Sequence, residues 1–90
     1  MAKPSHASGT ISASNTTIGP VEVKKGQKLT FTVDYTSGTI TLQYSTTEPG
    51  PYVAADDGYT ADKAGEGQAP GFYQLVGSST PSAAVSMVAR

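Results

Sequence analysis

Three carboxylates close together in the sequence form the strongest candidate chemical site of this chain. Asp56, Asp57 and Asp62 lie within seven residues, and carboxylate oxygens are ligands that Ca²⁺ prefers. Their spacing does not follow the alternating acidic pattern of the common calcium-binding loop, and no Glu closes the segment. The pair Asp57-Gly58 is typical of a tight turn in which glycine adopts a positive φ. We therefore interpret the segment as a hairpin turn and predict no metal or cofactor.

Aromatic side chains accompany this acidic segment. Tyr52 and Tyr59 flank the carboxylates, and Phe72 and Tyr73 follow downstream. Aromatic rings beside a few polar groups are typical of ligand pockets, and a sugar presents both an apolar face and hydroxyls to such a site. A small carbohydrate-binding or adhesion module that uses residues 52–62 is therefore our alternative hypothesis, with a glycan as ligand. Because the chain is poor in Leu and Ile, we favour burial of these rings in the core.

The remaining chemical groups are isolated. His6 is the only histidine and has no second His, Cys or Asp nearby, so it lacks the partner that metal binding or general-base catalysis requires. The basic cluster Lys24, Lys25 and Lys28 is typical of a solvated turn and a protected sheet edge. We therefore predict that the chain is not an enzyme. The residues that we predict to contact a partner are Lys3, His6, Tyr52, Asp56, Asp57, Tyr59 and Asp62.

Length and composition exclude several classes of protein. Ninety residues allow one domain, and the absence of cysteine excludes a disulfide framework and a thiolate metal site. The net charge of −1 with only 6 Lys and Arg offers no electrostatic footprint for nucleic acid. No apolar run is long enough to cross a membrane, and residues 1–6 lack the apolar stretch of a secretory signal.

Apolar side chains are scarce. Only 15 of the 90 residues are Ile, Leu, Val or Phe, whereas Ser and Thr together number 22. A chain with so little to bury is expected to have a thin core and marginal stability as a free monomer. Binding to a partner, or to copies of itself, would supply the missing burial.

The clearest periodicity is an alternation of apolar and polar residues on both sides of residues 36–39. One face of the run 28–35 carries Leu29, Phe31, Val33 and Tyr35, and one face of the run 40–45 carries Ile40, Leu42 and Tyr44. Two alternating runs around a Ser-Gly tip predict a β-hairpin. Weaker strand patterns occur at 9–13, 18–23, 52–55, 71–77 and 82–89, and residues 64–70 have the composition of a loop.

These patterns predict an all-β fold. About seven short strands fit a single small antiparallel β-sandwich, Ig-like or jelly-roll-like, or a small barrel. Residues 1–8 have almost no apolar side chains, so we predict a flexible N-terminal arm over 1–8 and a single β domain over 9–90.

Several of these segments together resemble a loose family of small all-β virion proteins from tailed bacteriophages. They are the Thr-rich opening 9–17, the segment 19–26, the strand 39–45, the Asp57-Gly58 turn, the Gly-aromatic strand 71–76 and the small-residue closing strand. The resemblance extends from Gly9 to Ala89 and identifies no site residue.

The resemblance implies a structural protein of a phage particle. We expect a capsid decoration or head-surface subunit, made in the host cytoplasm and located on the virion. Its expected partners are the major capsid protein or other virion proteins and its own copies, in a homo-oligomer, with no nucleic acid and no membrane. A thin core suits a subunit whose stability is completed on assembly.

Overall fold

The computed structural model describes residues 6–90, which form six antiparallel β-strands in one sheet. No helix in this part of the chain is long and apolar enough to cross a membrane. The strands are β1 (His6–Ile11), β2 (Thr17–Val23), β3 (Leu29–Ser45), β4 (Val53–Ala54), β5 (Lys63–Gly67) and β6 (Gly71–Ala89). β3 pairs with β6, β4 and β5, and β6 pairs with β1 and β2.

The two long strands β3 and β6 form a ribbon that both layers of the fold share. Their pairing runs from Leu29 opposite Ala89 to Ser45 opposite Phe72. A straight strand of 17 residues would measure about 56 Å. The longest dimension of the molecule is 34 Å, so the ribbon must bend. The register shifts between Tyr35 and Thr39 show where it does so.

Backbone conformation at the bend explains why the ribbon folds over there. Gly38 has a φ of 80°, and Ser79 and Thr80 on the opposite strand have φ of 60° and 53°. A Cβ at residue 38 would lie 2.6 Å from the Cα of Pro81, so only glycine fits between the two strands. The hydroxyl of Ser37 donates to the carbonyl of Thr80 at 2.9 Å and holds the two strands together at this point.

The bend divides the sheet into two packed layers, which gives a small antiparallel β-sandwich. The first half-sheet comprises β1, β5 and residues 29–35 and 83–89, and the second comprises β2, β4 and residues 39–45 and 71–78. Contacts cross between the layers: a Cβ at Gly9 would lie 3.1 Å from Ile18, and one at Gly67 would lie 2.8 Å from the ring of Tyr73. The predicted fold class is confirmed.

The core lies between the two half-sheets and uses the scarce apolar residues efficiently. Every Ile and Leu of the chain is buried, and of the inward positions predicted from the alternation only Tyr35 and Tyr44 are partly rather than fully buried. The core residues are Ile11, Ile18, Val21, Val23, Leu29, Phe31, Val33, Ile40, Leu42, Tyr59, Tyr73, Leu75, Ala83, Val85, Met87 and Ala89.

The structure corrects three predictions of secondary structure, and the first is that the strands predicted at 71–77 and 82–89 are separate, since both belong to β6. The hairpin predicted around residues 36–39 is wrong, because both alternating runs belong to β3 and each pairs with a different part of β6. Alternation reports which side chains share a face but not whether the chain reverses between two runs. Part of the loop predicted over 64–70 is also a strand, since Lys63–Gly67 pairs with residues 29–33 of β3.

The N-terminal boundary of the domain also differs from the prediction. The predicted arm includes residues 6–8, but these form the first half of β1 and lie opposite Val88, Met87 and Ser86. Half-burial of Ala7 against the core explains why a segment with so few apolar residues joins the sheet. The rest of the predicted arm, residues 1–5, lies outside the described residues.

Candidate functional site

A groove opens between β5 and the segment 55–59. It lies on the side of the sandwich formed by β4 and β5, the two outer strands that pair with β3. Its volume is about 370 Å³. Core side chains form its floor, and charged and amide side chains stand at its rim. The lining residues are Phe31, Leu42, Ala55, Asp56, Tyr59, Lys63, Gly65, Glu66, Gly67, Gln68, Ala69 and Tyr73.

Glycines in β5 shape one wall of this groove. Gly65 lies opposite Phe31 and Gly67 opposite Leu29, which places both glycines on the inward face of the strand. A Cβ on Gly65 would lie 2.8 Å from the ring of Phe31. The β5 backbone therefore packs directly on aromatic rings, which explains why the sequence Lys-Ala-Gly-Glu-Gly forms a strand despite its lack of apolar side chains.

The opposite wall is an irregular edge segment. The amide of Ala55 donates to the carbonyl of Leu42 at 2.8 Å, and Tyr59 forms a bridge with Ile40, so residues 56–58 stand opposite Thr41 alone. Residues 56–58 thus bulge away from β3, and we call them the excursion. The excursion replaces the hairpin turn predicted at Asp57-Gly58. Gly58 does not adopt a positive φ; it is required because a Cβ there would collide with the side chain of Thr39.

Asp56 and Tyr59 form a hydrogen-bonded pair at the rim of the groove. One carboxylate oxygen of Asp56 accepts the amide of Asp57 at 2.8 Å, and the other accepts the Tyr59 hydroxyl at 3.0 Å. These hydrogen bonds, followed by the attraction of Lys63, lower the pKa of Asp56. Burial and the hydrogen bond to Asp56 raise the pKa of Tyr59. The Lys63 ammonium lies 5.5 Å from the centre of the Tyr59 ring.

The three carboxylates considered as calcium ligands do not converge. Asp56 bonds to Tyr59, whereas Asp62 accepts the backbone amide of Tyr35 at 2.8 Å and thereby supports the bend of β3. Asp57 is exposed on the excursion. Within residues 6–90, no group of three or more His, Asp or Glu is arranged to hold a metal ion.

The aromatic residues near the acidic segment have separate environments. Tyr59 and Tyr73 are only 8% and 4% exposed, so they fill the core, as the interpretation favoured from the sequence predicts. Phe72 is half-buried on the outer face of the second half-sheet. Tyr52 lies outside the groove, where its hydroxyl donates to the carbonyl of Glu48 at 2.8 Å and burial raises its pKa. The rings therefore offer little exposed surface on which a sugar would stack.

The other two predicted contact residues lie far from the groove in the chain. His6 is exposed at the start of β1, opposite Val88. Lys3 lies outside the described residues. The structure thus brings Asp56 and Tyr59 together with Lys63, and the backbone of Asp57 contacts Asp56, whereas Tyr52, Asp62 and His6 have other partners or positions.

Two surfaces that sequence reasoning did not single out are prominent in the structure. Val53 on the edge strand β4 is 61% exposed. Among the described residues, no other large hydrophobic side chain is exposed. The second surface is the outer face of the first half-sheet, here called the hydroxyl face. Its exposed small residues are Ser8, Thr10, Thr30, Thr32, Ala64, Ala84 and Ser86, and the same face also carries His6, Asp34, Glu66 and Val88. The Thr-x-Thr spacing at 30–32 predicts that two threonines share one face of a strand. The other residues of the hydroxyl face come from distant segments of the chain, so the sequence does not predict the whole face.

Comparison of the chain with models of protein families, with curated proteins and with solved structures finds no match.

Proposed function

We propose that this chain is a non-enzymatic structural subunit of a tailed-phage particle, a capsid decoration or head-surface protein that binds the shell and its own copies. The observation that carries the proposal is the hydroxyl face. The resemblance to small all-β virion proteins and the thin core favour the same role.

The hydroxyl face has the shape of a docking surface. Its side chains lie in rows across four strands, with Ser8 opposite Ser86, Ser86 opposite Thr32, and Thr32 opposite Ala64. This row of short side chains lies between a row that contains Asp34 and a row that contains Glu66. Ordering them on binding costs little side-chain entropy, which is one of the main costs of forming an interface. Ser and Thr hydroxyls also both donate and accept hydrogen bonds, so they adapt to many partner surfaces.

The small number of apolar residues in the core supports a role in an assembly. All Ile and Leu side chains are already buried inside the sandwich, so further stabilisation must come from outside the monomer. A bound partner stabilises the folded state in proportion to the logarithm of its concentration relative to Kd. A subunit on a shell has its binding partner beside it at high local concentration, so binding stabilises its folded state as long as it stays on the shell.

Cosedimentation with purified heads of the phage that encodes the chain tests the proposal. We expect saturable binding that falls at least tenfold in the double variant Thr32→Glu, Ser86→Glu, because two carboxylates would then project from the hydroxyl face. The control is Thr17→Glu, at a position that is also exposed but lies on the second half-sheet, and it should bind like the wild type. Absence of wild-type binding, or equal loss in the control, would contradict the proposal.

A further inference from the structure

We propose that the outer edge of β4 pairs with the same edge of a second copy, in a two-fold antiparallel arrangement that places Val53 opposite Val53 of that copy. The inference deepens the structural role proposed above and rests on it. The interface joins neighbouring subunits, whereas the hydroxyl face meets the shell.

The β4 edge lacks the charged side chains, the proline and the bulge that the other outer strands carry. β5 carries Lys63 and Glu66, and β2 contains Pro20 and a bulge between Ile18 and Val21. On β1, the side chain of Asn15 donates to the carbonyl of Thr10 at 3.2 Å. β4 instead presents Val53, Ala54 and the following Ala55, which are exposed and uncharged.

The backbone geometry defines the register of the proposed pair. The amide of Ala55 points towards β3, where it donates to Leu42. Because successive residues of a strand direct their backbone groups to opposite sides, Val53 also faces β3, and Tyr52 and Ala54 face outwards. Two-fold pairing therefore joins Tyr52 of each copy to Ala54 of the other by hydrogen bonds. Val53 forms the central pair without hydrogen bonds, in which side chains approach most closely.

Packing and charge both agree with this register. Val53 lies opposite Tyr44 of β3, so the two Val53 side chains would cover each other beside the half-buried Tyr44 ring. The carboxylates Asp56 and Asp57 follow β4 on its C-terminal side. In an antiparallel pair these C-terminal sides lie at opposite ends, so Asp56 and Asp57 of one copy lie apart from Asp56 and Asp57 of the other.

The short length of β4 sets the strength of the contact. A two-residue strand with its flanking residues buries far less than the roughly 1,200 Å² of a standard stable interface. We therefore expect weak association of free subunits that becomes effective when the shell holds many copies side by side at high effective concentration.

Site-directed cysteine cross-linking tests the inference, because the chain contains no cysteine. Val53→Cys should form disulfide-linked dimers at least tenfold faster than the exposed control Ala61→Cys at equal protein and oxidant concentrations. Ala54→Cys tests the register, since residue 54 faces Tyr52 of the partner and should cross-link no faster than Ala61→Cys. Circular dichroism of the reduced variants establishes that each is folded.

Equal rates for Val53→Cys and Ala61→Cys would overturn the inference, and a faster rate for Ala54→Cys would overturn the register. These assays contain no phage heads, so they separate the two proposals. Head binding without preferential cross-linking removes the β4 contact and leaves the structural role, whereas preferential cross-linking without head binding does the reverse.

Discussion

β4 and β5 both pair with the long strand β3, yet the side chains on their outer edges differ. β5 packs its inward glycines on aromatic rings, and Glu66 on this strand forms an ion pair with Lys28 at 3.0 Å. β4 has neither charge nor glycine and leaves Val53 61% exposed. Exposed surface ion pairs contribute little stability, so the charges on β5 serve better as protection against pairing than as support for the fold.

Topology makes both strands edges, and the side chains that each strand carries decide whether its edge is protected from pairing. Both strands pair with β3 in antiparallel register; β5 forms one wall of the groove, and Ala55 after β4 lines it as well. An edge without protection persists at a cost in aggregation risk. In a subunit that assembles, the same feature is a contact for its neighbour.

The largest expected effect concerns the inward face of the first half-sheet. Phe31 is buried beneath Gly65 and stacks on Tyr59 with 5.8 Å between ring centres. Phe31→Ala should lower the free energy of unfolding by about 3–5 kcal/mol, as large aromatic truncations in cores do. Phe72→Ala, on the outer face of the second half-sheet, should cost about 1 kcal/mol or less. Urea denaturation compares them, and equal losses would show that the faces are misassigned.

The bend of the ribbon should be nearly as sensitive. Gly38→Ala introduces a Cβ that meets Pro81 and Ser78 at a residue with positive φ, and should cost about 2–4 kcal/mol. Gly26 provides a matched control, because its φ is 88° but no atom lies within 4 Å of an added Cβ. Gly26→Ala should therefore cost only the backbone strain, about 1–2 kcal/mol. Thermal melting that ranks the two variants in reverse would contradict this account of the bend.

Tyr59 at the groove rim should make stability fall in alkali. Its pKa is raised above the ordinary 10.0, so the folded state holds the phenol proton more tightly than the unfolded state does. The associated stability is complete below pH 10.0 and is lost as the pH rises further. Tyr59→Phe removes the hydrogen bond to Asp56, which should cost about 1 kcal/mol near neutrality.

The same variant should lose less stability than the wild type when the pH is raised from about 8 to about 11. Some alkaline sensitivity should remain, because burial also raises the pKa of Tyr52 and Tyr73. Urea denaturation at both pH values measures the difference. Parallel losses in the two proteins would show that Tyr59 does not carry the effect.

The sequence predicts the faces of the strands better than their connections. The alternation placed Leu29, Phe31, Val33, Ile40 and Leu42 inwards correctly, because burial of one sheet face imposes a period of two. It did not predict that residues 29–45 form one bent strand. That bend depends on the close approach of Gly38 to Pro81, a contact between positions 43 residues apart.

In the candidate site too, the sequence predicts which residues are involved but not which distant residues they contact. The segment around Asp56 and Tyr59 was recognisable from its composition, but the position of Lys63 over the Tyr59 ring depends on β5, which has no strand signal of its own. The exposure of Val53 likewise follows from the absence of a further strand beside β4. Such features arise from tertiary context, which overrides local propensity.

Amide hydrogen exchange measured by NMR at two protein concentrations, about 0.05 mM and about 2 mM, tests the contrast between the two edges most directly. We predict that the outward amides of Tyr52 and Ala54 become more protected at the higher concentration, while the amides of β5 do not change. Unchanged exchange at Tyr52 and Ala54, or equal protection along both strands, would contradict the claim that β4 is the edge left open for a second copy.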